Sequence, residues 1–453
     1  MARLFGTDGV RGIASKALTA QLAYKLGFAG ALVLAKSHSS NTKPVILIGM
    51  DTRISCNMLE AALISGICSA GADVIQVGVI PTPGVAYLTR KYKCDAGVMI
   101  SASHNSFEYN GIKFFSKDGF KLPDSVEDEI EEIINKFDEM DFDLPIGEKI
   151  GKTTYNSKAS HNYIEHLKRR MSVDITDMKI VIDCANGASS AYASTLFSDL
   201  GADVTVLANS PDGININKDC GSTHMGNLCK KVVELGADMG FAFDGDADRF
   251  LAVDKFGNIV DGDVIMSIIA NDMKAHGELK KNTLVVTVMS NLGVSIMAKE
   301  TGLELAKTKV GDRYVLEEML KCGYNLGGEQ SGHVILLDHS TTGDGMLTAL
   351  ALLKALSRSK KTLDEAAKIV TILPQVLLPA YVKDQDKENA MNSELLKAKI
   401  AKFEAELGET GRILVRASGT EPQIRVMLEG QDIDQITDMA KKLVAVINSE
   451  YQA

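Results

Sequence analysis

Apolar residues along this chain fall into short runs that alternate with stretches of helical period, and one such alternation occurs three times. Pro44 to Arg53 (PVILIGMDTR) is an apolar run that ends in polar residues. A helical stretch over Met58 to Ala70 follows, and Gly71-Ala-Asp-Val opens a second run, VIQVGVI. Lys179 to Ala188 (KIVIDCANGA) repeats the pattern, with a helix near Ser190 to Leu200 and Gly201-Ala-Asp-Val opening the next run. The third copy is Thr283 to Asn291 (TLVVTVMSN), a helix to about Glu300, and Gly302-Leu-Glu-Leu. A short apolar run, a 3.6-period helix and a Gly-led second run spell a βαβ unit, and such units build sheets rich in parallel strands.

Three copies spaced by about a domain's length predict three similar α/β domains in tandem rather than one large Rossmann-like sheet. Joints are expected where charged, Pro-bearing or Gly/Asp-rich segments interrupt the pattern, at Asp138 to Lys152, Lys255 to Gly262 and Leu373 to Lys387. The domains are then 1–152, 153–255, 256–372 and 373–453. The last region carries no fourth copy. A long charged helix over Glu388 to Leu407, strands around RILVRASGT and QIRVMLEG, and a closing helix make it a smaller α+β domain.

Composition narrows the function. The 453 residues are 45% hydrophobic and carry 49 Lys plus Arg against 59 Asp plus Glu, a formal net charge of −10. A uniformly acidic chain repels nucleic acid, which argues against such a partner. No apolar run approaches the roughly 18 residues of a membrane span, and the start (MARLFGTDGVRG) does not read as a signal peptide. Seven scattered cysteines, none in C-x-x-C, argue against a disulfide framework or a zinc site and suit a reducing cytoplasm.

Four segments carry chemistry. In Gly97 to Phe115 (GVMISASHNSFEYNGIKFF) an apolar strand runs directly into Ser101, Ser103 and His104, the place where open α/β sheets bind ligands. In Phe241 to Phe250 (FAFDGDADRF), Asp244, Asp246 and Asp248 alternate with small residues. Three carboxylates at that spacing repel unless a hard cation such as Mg²⁺ or Ca²⁺ compensates them. An EF-hand is excluded because Lys255 stands where its bidentate Glu belongs, and Arg249 beside the cluster suits a phosphate. In Asn325 to Asp338 (NLGGEQSGHVILLD), Glu329, Gln330, Ser331 and His333 are interleaved with glycines, a donor and acceptor set for sugar hydroxyls or an amine. In Arg412 to Gly430, Arg416, Ser418, Gly419 and Thr420 sit between two strands with Arg425 on the return, an anion nest for a phosphate monoester. No ATP P-loop is present. With Arg11 in Thr7-Asp8-Gly9-Val10-Arg11-Gly12, the set spells phosphoryl transfer on a small phosphorylated polyol.

Taken together and in this order, the four patterns resemble the α-D-phosphohexomutase superfamily over essentially the whole chain. The opening FGTDGVRG, the I-S-A-S-H-N loop, VGDRYV at Val310 to Val315 and Gln330 in GEQSGH resemble its bacterial branch acting on glucosamine phosphates. The phosphomannomutase/phosphoglucomutase branch is the alternative. The resemblance implies a phosphoserine at Ser103, with Ser101 second, and Mg²⁺ held by Ser103, Asp244, Asp246 and Asp248, one per active site. It implies interconversion of glucosamine 6-phosphate and glucosamine 1-phosphate through glucosamine 1,6-bisphosphate, which also serves as activator, on the route to UDP-N-acetylglucosamine and cell-wall precursors. Arg11, Lys113, Arg249 and His104 would serve the transfer, with Lys113 or a neighbour as acid/base and a cationic cleft inside the acidic whole. Glu329, Gln330, Ser331 and His333 would read the sugar, and Arg416, Ser418, Gly419, Thr420 and Arg425 would hold the other phosphate. The family often forms homodimers through its first domain.

One departure stands out: Ser106 occupies the place where the family commonly has Pro, which frees an N–H and a φ and predicts a more mobile serine loop. A phosphatase using Asp244 as nucleophile is the rival from another class. Its hydroxyl residue two after the second Asp is replaced here by Asp248, and the site of covalent phosphate separates the two. A non-catalytic sugar-phosphate sensor would not need the Asp triplet.

Overall fold

The computed structural model describes residues 3–6, 8–38, 42–418 and 422–451, and the chain divides into two compact units. The first (Met1–Met289 and Leu303–Ile369) contains three sheets and the second (Ser290–Gly302 and Val370–Ala453) contains one.

In the first sheet, β1 (Val10–Ile13), β2 (Val45–Met50), β3 (Asp73–Val79), β4 (Ala96–Ile100), β5 (Tyr109–Ser116) and β6 (Thr153–Tyr155) run in the order β1-β5-β4-β2-β3-β6. The pairs β4–β2, β2–β3 and β3–β6 are parallel, and β1–β5 and β5–β4 are antiparallel. The second sheet contains β7 (Lys179–Asp183), β8 (Asp203–Leu207), β9 (Met239–Phe243), β10 (Phe250–Asp254) and β11 (Ile259–Val260), ordered β11-β10-β9-β7-β8 with a parallel β9–β7–β8 core. The third contains β12 (Thr283–Thr287), β13 (Glu304–Thr308), β14 (Leu326–Gly328) and β15 (Val334–Leu336), ordered β13-β12-β14-β15 and parallel except for the final hairpin. Three separate mixed sheets, each with a parallel core, and their helices replace the single-sheet alternative.

Helices cover these sheets because every residue of β4, β9 and β12 is buried, so both faces need an apolar layer. Ala20–Leu34 and Cys56–Ser69 pack so closely that a Cβ at Gly66 would lie 2.1 Å from the Tyr24 carbonyl oxygen.

The second unit is built on β16 (Gln375–Tyr381), β17 (Arg412–Ala417) and β18 (Gln423–Glu429), antiparallel in the order β16-β18-β17 and backed by Ile433–Tyr451.

Three boundaries differ from the sequence expectation. Thr153–Tyr155 still pairs with β3, past the expected boundary at 152, and Ile259–Val260 with β10, past the expected boundary at 255 and within the expected joint Lys255 to Gly262. Helix Leu292–Thr301 groups with the second unit, outside the expected 373 boundary. Glu429 accepts the Leu292 N–H at 2.9 Å, Arg412 donates to the Ser290 carbonyl at 2.6 Å, and Asn291 bonds both backbone groups of Leu373. The helix expected over Glu388 to Leu407 is two, Lys387–Asn392 and Glu394–Leu407. Ser393 breaks it in extended backbone, and its Oγ caps the second by accepting the Leu396 N–H. Among the described residues no helix is long and apolar enough to cross a membrane.

Candidate active site

The chemistry of the first unit collects where parallel strands end. Strand β4 delivers Ser101 and Ser103, β9 delivers Asp244, and β2 delivers Asp51 and Arg53. Ser103 is 2% exposed and sits at φ +52°, a left-handed conformation that costs a non-glycine residue about 1 kcal/mol or more. Its Oγ donates to Asp244 Oδ2 at 2.7 Å, its N–H donates to Ser101 Oγ at 2.9 Å, and His104 Nδ1 lies 3.5 Å from Oγ. The two serines therefore have different places: Ser103 faces the carboxylate cluster and Ser101 supports its backbone.

Asp244, Asp246 and Asp248 are buried, with one oxygen of each inside a 4.8 Å group. Asp246 Oδ1 and Asp248 Oδ1 are buried and receive no hydrogen bond from the protein. Burial, then the Asp248 and Asp246 charges, pushes Asp244 far above the usual carboxylate range. Orphaned hard oxygens in a mutually repelling cluster fit a divalent cation. Gly245 lets this loop meet the serine loop: a Cβ there would lie 2.6 Å from the Ser103 carbonyl oxygen.

Lys113, on β5 and 2% exposed, has Nζ 2.8 Å from Asp246 Oδ2, 2.9 Å from Asp8 Oδ2 and 3.9 Å from Asp248 Oδ2. Burial alone would lower its pKa, but Asp246, Asp8 and Asp248 outweigh burial and hold the ammonium charged. Arg11 pairs with Asp8, which also meets Lys121 at 2.5 Å, and Lys121 pairs with Asp312. Arg249 reaches Asp248 at 4.0 Å. Burial would raise Asp248, but His333, Lys113 and Arg249 hold it well below its ordinary range. Burial, then the Arg249 and Arg11 charges, lowers His104 to about 4, so its ring is neutral near pH 7.

Asp8, Arg11, Ser103, His104, Asp248, Arg249 and Asp312 line a cleft of about 440 Å³ that also includes Glu329, His333 and Gly311, with Lys113, Asp244 and Asp246 buried behind its wall. Glu329 accepts the Gly311 N–H at 3.0 Å. His333 is buried with Nδ1 3.5 Å from Asp248 and Nε2 3.5 Å from Asp312. The two carboxylates draw a second proton to the ring, yet the Gly343 N–H donates to Nε2 at 3.1 Å. That contact occupies Nε2 and leaves Nδ1 facing Asp248. Gln330 and Ser331 do not line the cleft: Gln330 donates to Asp261 at 3.0 Å, and Ser331 Oγ is buried without a hydrogen-bond partner. The cationic cleft expected from the sequence is instead mixed, because Asp8, Asp248, Asp312 and Glu329 alternate with Arg3, Arg11 and Arg249 along its wall.

In the second unit, Arg416 and Arg425 face each other across β17 and β18. Burial, then Arg425, lowers the Arg416 pKa, so a bound anion there would relieve the repulsion. Ser418 is buried and its carbonyl accepts from Lys387 at 2.7 Å. Gly419 and Thr420 lie outside the described residues.

Three groups escaped the sequence reading. Thr82 donates to Asp246 Oδ2 at 2.6 Å. Arg53 and Asn217 both donate to the Ser103 carbonyl, at 3.0 and 2.9 Å. Arg53 had a signal, since D-T-R follows the apolar run of β2 as D-G-D follows β9. Thr82 and Asn217 had none.

Profiles of four domains match the chain in order. They are phosphoglucomutase/phosphomannomutase alpha/beta/alpha domain I at residues 2–141, domain II at 161–257, domain III at 261–372 and the C-terminal domain at 379–446. A phosphoglucosamine mutase of Ruminiclostridium cellulolyticum is 59% identical over 447 residues, 99% of each chain. One from Acetivibrio thermocellus is 56% identical over 447 residues, again 99% of each. Among solved structures, a phosphoglucomutase/phosphomannomutase family protein of Burkholderia thailandensis superposes with TM-score 0.82 at 23% identity, covering 99% of this chain and 98% of that one. The Aspergillus fumigatus N-acetylphosphoglucosamine mutase in complex with GlcNAc-6P and magnesium superposes with TM-score 0.68 at 18% identity, covering 98% and 95%.

Proposed function

This chain belongs to the phosphoglucomutase/phosphomannomutase family, and on that premise we propose that it interconverts glucosamine 6-phosphate and glucosamine 1-phosphate, with Ser103 carrying the phosphoryl group. The observation that supports the carrier is the buried Ser103 Oγ, aimed at Asp244 in a carboxylate triplet with orphaned oxygens. The substrate rests on the relatives: phosphoglucosamine mutases share over half their residues with this chain across its length.

Asp244, Asp246 and Asp248, with an oxygen of phosphorylated Ser103, would hold Mg²⁺, which when bound neutralises phosphate charge. The rest falls to side chains. A sugar hydroxyl attacks the Ser103 phosphorus as the P–Oγ bond breaks, giving glucosamine 1,6-bisphosphate and free serine. After the bisphosphate turns around, Ser103 Oγ attacks the other phosphorus and the sugar oxygen leaves with a proton. His104, held neutral, is able to accept the hydroxyl proton, and Lys113, held charged, balances the phosphoryl oxygens. Arg11 and Arg249 orient the phosphate from the cleft wall, and Glu329 meets sugar hydroxyls. Gln330 and Ser331 act from behind by shaping that loop, and His333 meets the sugar from the cleft wall. Arg416, Ser418, Gly419, Thr420 and Arg425 grip the phosphate that is not reacting.

A cytoplasmic setting belongs to the same reading, with all seven cysteines free, and so does the homodimer, which sedimentation would test. The assay that decides the substrate compares glucosamine, glucose and mannose 6-phosphates at equal enzyme. The highest kcat/KM should fall on glucosamine 6-phosphate, and a preference for either neutral sugar would move the chain to the other branch.

A further inference from the structure

The serine loop reaches its geometry without the proline that would stiffen it, and the structure shows what holds it instead. Ser103 is left-handed, so its carbonyl points away from the direction an extended strand would give it. That oxygen accepts from Arg53 Nη2 at 3.0 Å and from Asn217 Nδ2 at 2.9 Å. The Asn105 carbonyl, two residues on, accepts from the same two nitrogens, at 2.6 and 2.9 Å. A carbonyl oxygen has two lone pairs, so both acceptors are filled. One guanidinium nitrogen and one amide nitrogen thus each bridge the carbonyls that flank His104.

The donors are themselves fixed. Arg53 has a fully buried side chain, and its Nη1 pairs with Asp51, whose other oxygen accepts the Arg53 N–H at 2.9 Å. Asn217 is 6% exposed and sits at φ +58°, which asparagine tolerates, and its N–H donates to the Ala185 carbonyl at 2.9 Å. Arg53 follows β2 and Asn217 follows β8, so the loop is held from two different sheets.

We propose that Arg53 and Asn217 are positioning residues for phosphoryl transfer: a two-sided carbonyl clamp that keeps Ser103 left-handed and its Oγ aimed at the Asp244 cluster. The inference rests on Ser103 being the phosphoryl carrier. The clamp touches neither substrate nor phosphate and acts only through the direction of one side chain. Its loss should therefore lower the transfer rate and leave sugar-phosphate binding alone. A misplacement of about 1 Å at the reacting group costs on the order of a hundredfold in rate.

Arg53 is a poor test because removing it strands the buried Asp51 charge. Asn217→Gly keeps the left-handed backbone accessible and deletes both donors. Asn217→Asp keeps the shape and turns the donors into oxygens facing two carbonyls. Wild-type and variant proteins are phosphorylated, checked by intact mass and peptide mapping, and mixed with glucosamine 6-phosphate while loss of the phosphate is timed. The expected result is a transfer rate about tenfold to a hundredfold lower for Asn217→Gly, lower still for Asn217→Asp, with KM within about twofold of wild type. A loaded Asn217→Gly that transfers at the wild-type rate overturns the clamp while leaving the carrier in place. A rate that falls only with the folded fraction, KM and thermal midpoint moving together, overturns it too. Wild-type protein that carries no phosphate on Ser103 sinks the carrier and the clamp with it.

Discussion

Ser103 Oγ donates a 2.7 Å hydrogen bond to Asp244 Oδ2, joining the end of β4 to the end of β9 across 141 residues of sequence. That contact sets the hydroxyl proposed to carry the phosphoryl group beside the carboxylates proposed to hold the metal. Ser103→Ala should cost roughly four or more orders of magnitude in mutase turnover, the scale of removing a nucleophile. It should also abolish the phosphate adduct seen by intact mass. Ser101→Ala removes only the acceptor of the Ser103 N–H, at about 1–3 kcal/mol, and should keep the adduct. An adduct that survives Ser103→Ala would reassign the carrier.

The orphaned oxygens of Asp246 and Asp248 predict a response to cation that needs no substrate. Adding Mg²⁺ to chelator-treated protein should raise the thermal midpoint, because the ion relieves repulsion that exists only in the folded state. At a hundredfold excess over its Kd the stabilisation is about 2.7 kcal/mol. Asp246→Asn should abolish the shift and the chelator-sensitive activity. A midpoint indifferent to Mg²⁺ would leave the triplet as a structural charge cluster.

Lys113 stands 2.8 Å from Asp246, which would remain buried without it, and 2.9 Å from the partly buried Asp8. Lys113→Met should therefore destabilise the fold by about 3–5 kcal/mol in urea titrations as well as remove activity. His104→Ala removes no such counter-charge and should lose activity with little change in stability. Equal stability of the two variants would contradict the charge-balancing role of Lys113.

The strand-end motifs were legible because their chemistry is local: β9 runs apolar into D-G-D-A-D, and β4 runs apolar into S-A-S-H-N. The three-fold βαβ pattern likewise fixes three sheets, since each buried strand advertises itself by its neighbours. What stayed hidden is long-range. Thr82 meets Asp246 across 164 residues and Asn217 meets Ser103 across 114, separations that no local pattern reports. Arg53 was in plain view after β2, but nothing in its spacing says which carbonyl a buried guanidinium will find. The break at Ser393 was missed because a serine between two amphipathic stretches reads equally well as a helical position or as a cap.

Glu127 supplies a pH dependence away from the cleft. Burial pushes its carboxyl up to about 7, against the opposing pull of Arg3, 3.1 Å away, and of Arg313. Because the folded value lies above the unfolded one, the associated stability is full below about pH 4.5 and is lost as pH rises through 7. Glu127→Gln cannot ionise, so its stability relative to wild type should increase between about pH 6 and pH 8. Urea unfolding at the two pH values gives the difference directly. A difference that does not change with pH would mean that Arg3 and Arg313 cancel the burial.

Gly245 offers the sharpest steric test of the site. A methyl group there would lie 2.6 Å from the Ser103 carbonyl oxygen and 2.8 Å from Asn217 Nδ2, so one of the two must move. Neither can yield freely, because the carbonyl is held by Arg53 and the amide by two acceptors. Overpacking of this kind costs about 1–3 kcal/mol of stability. The larger effect should fall on rate, on the order of a hundredfold, since the displaced group is the residue proposed to carry the phosphate. Gly240→Ala is the matching control: its Cβ would meet Val232 Cγ2 at 2.6 Å and Leu228 Cδ1 at 3.0 Å, side chains of the helix Gly226–Leu235 that do not line the cleft. The two variants should lose comparable stability by urea titration while only Gly245→Ala loses turnover. Equal turnover in both would mean that the close approach of the Asp loop to the serine loop does not set the rate.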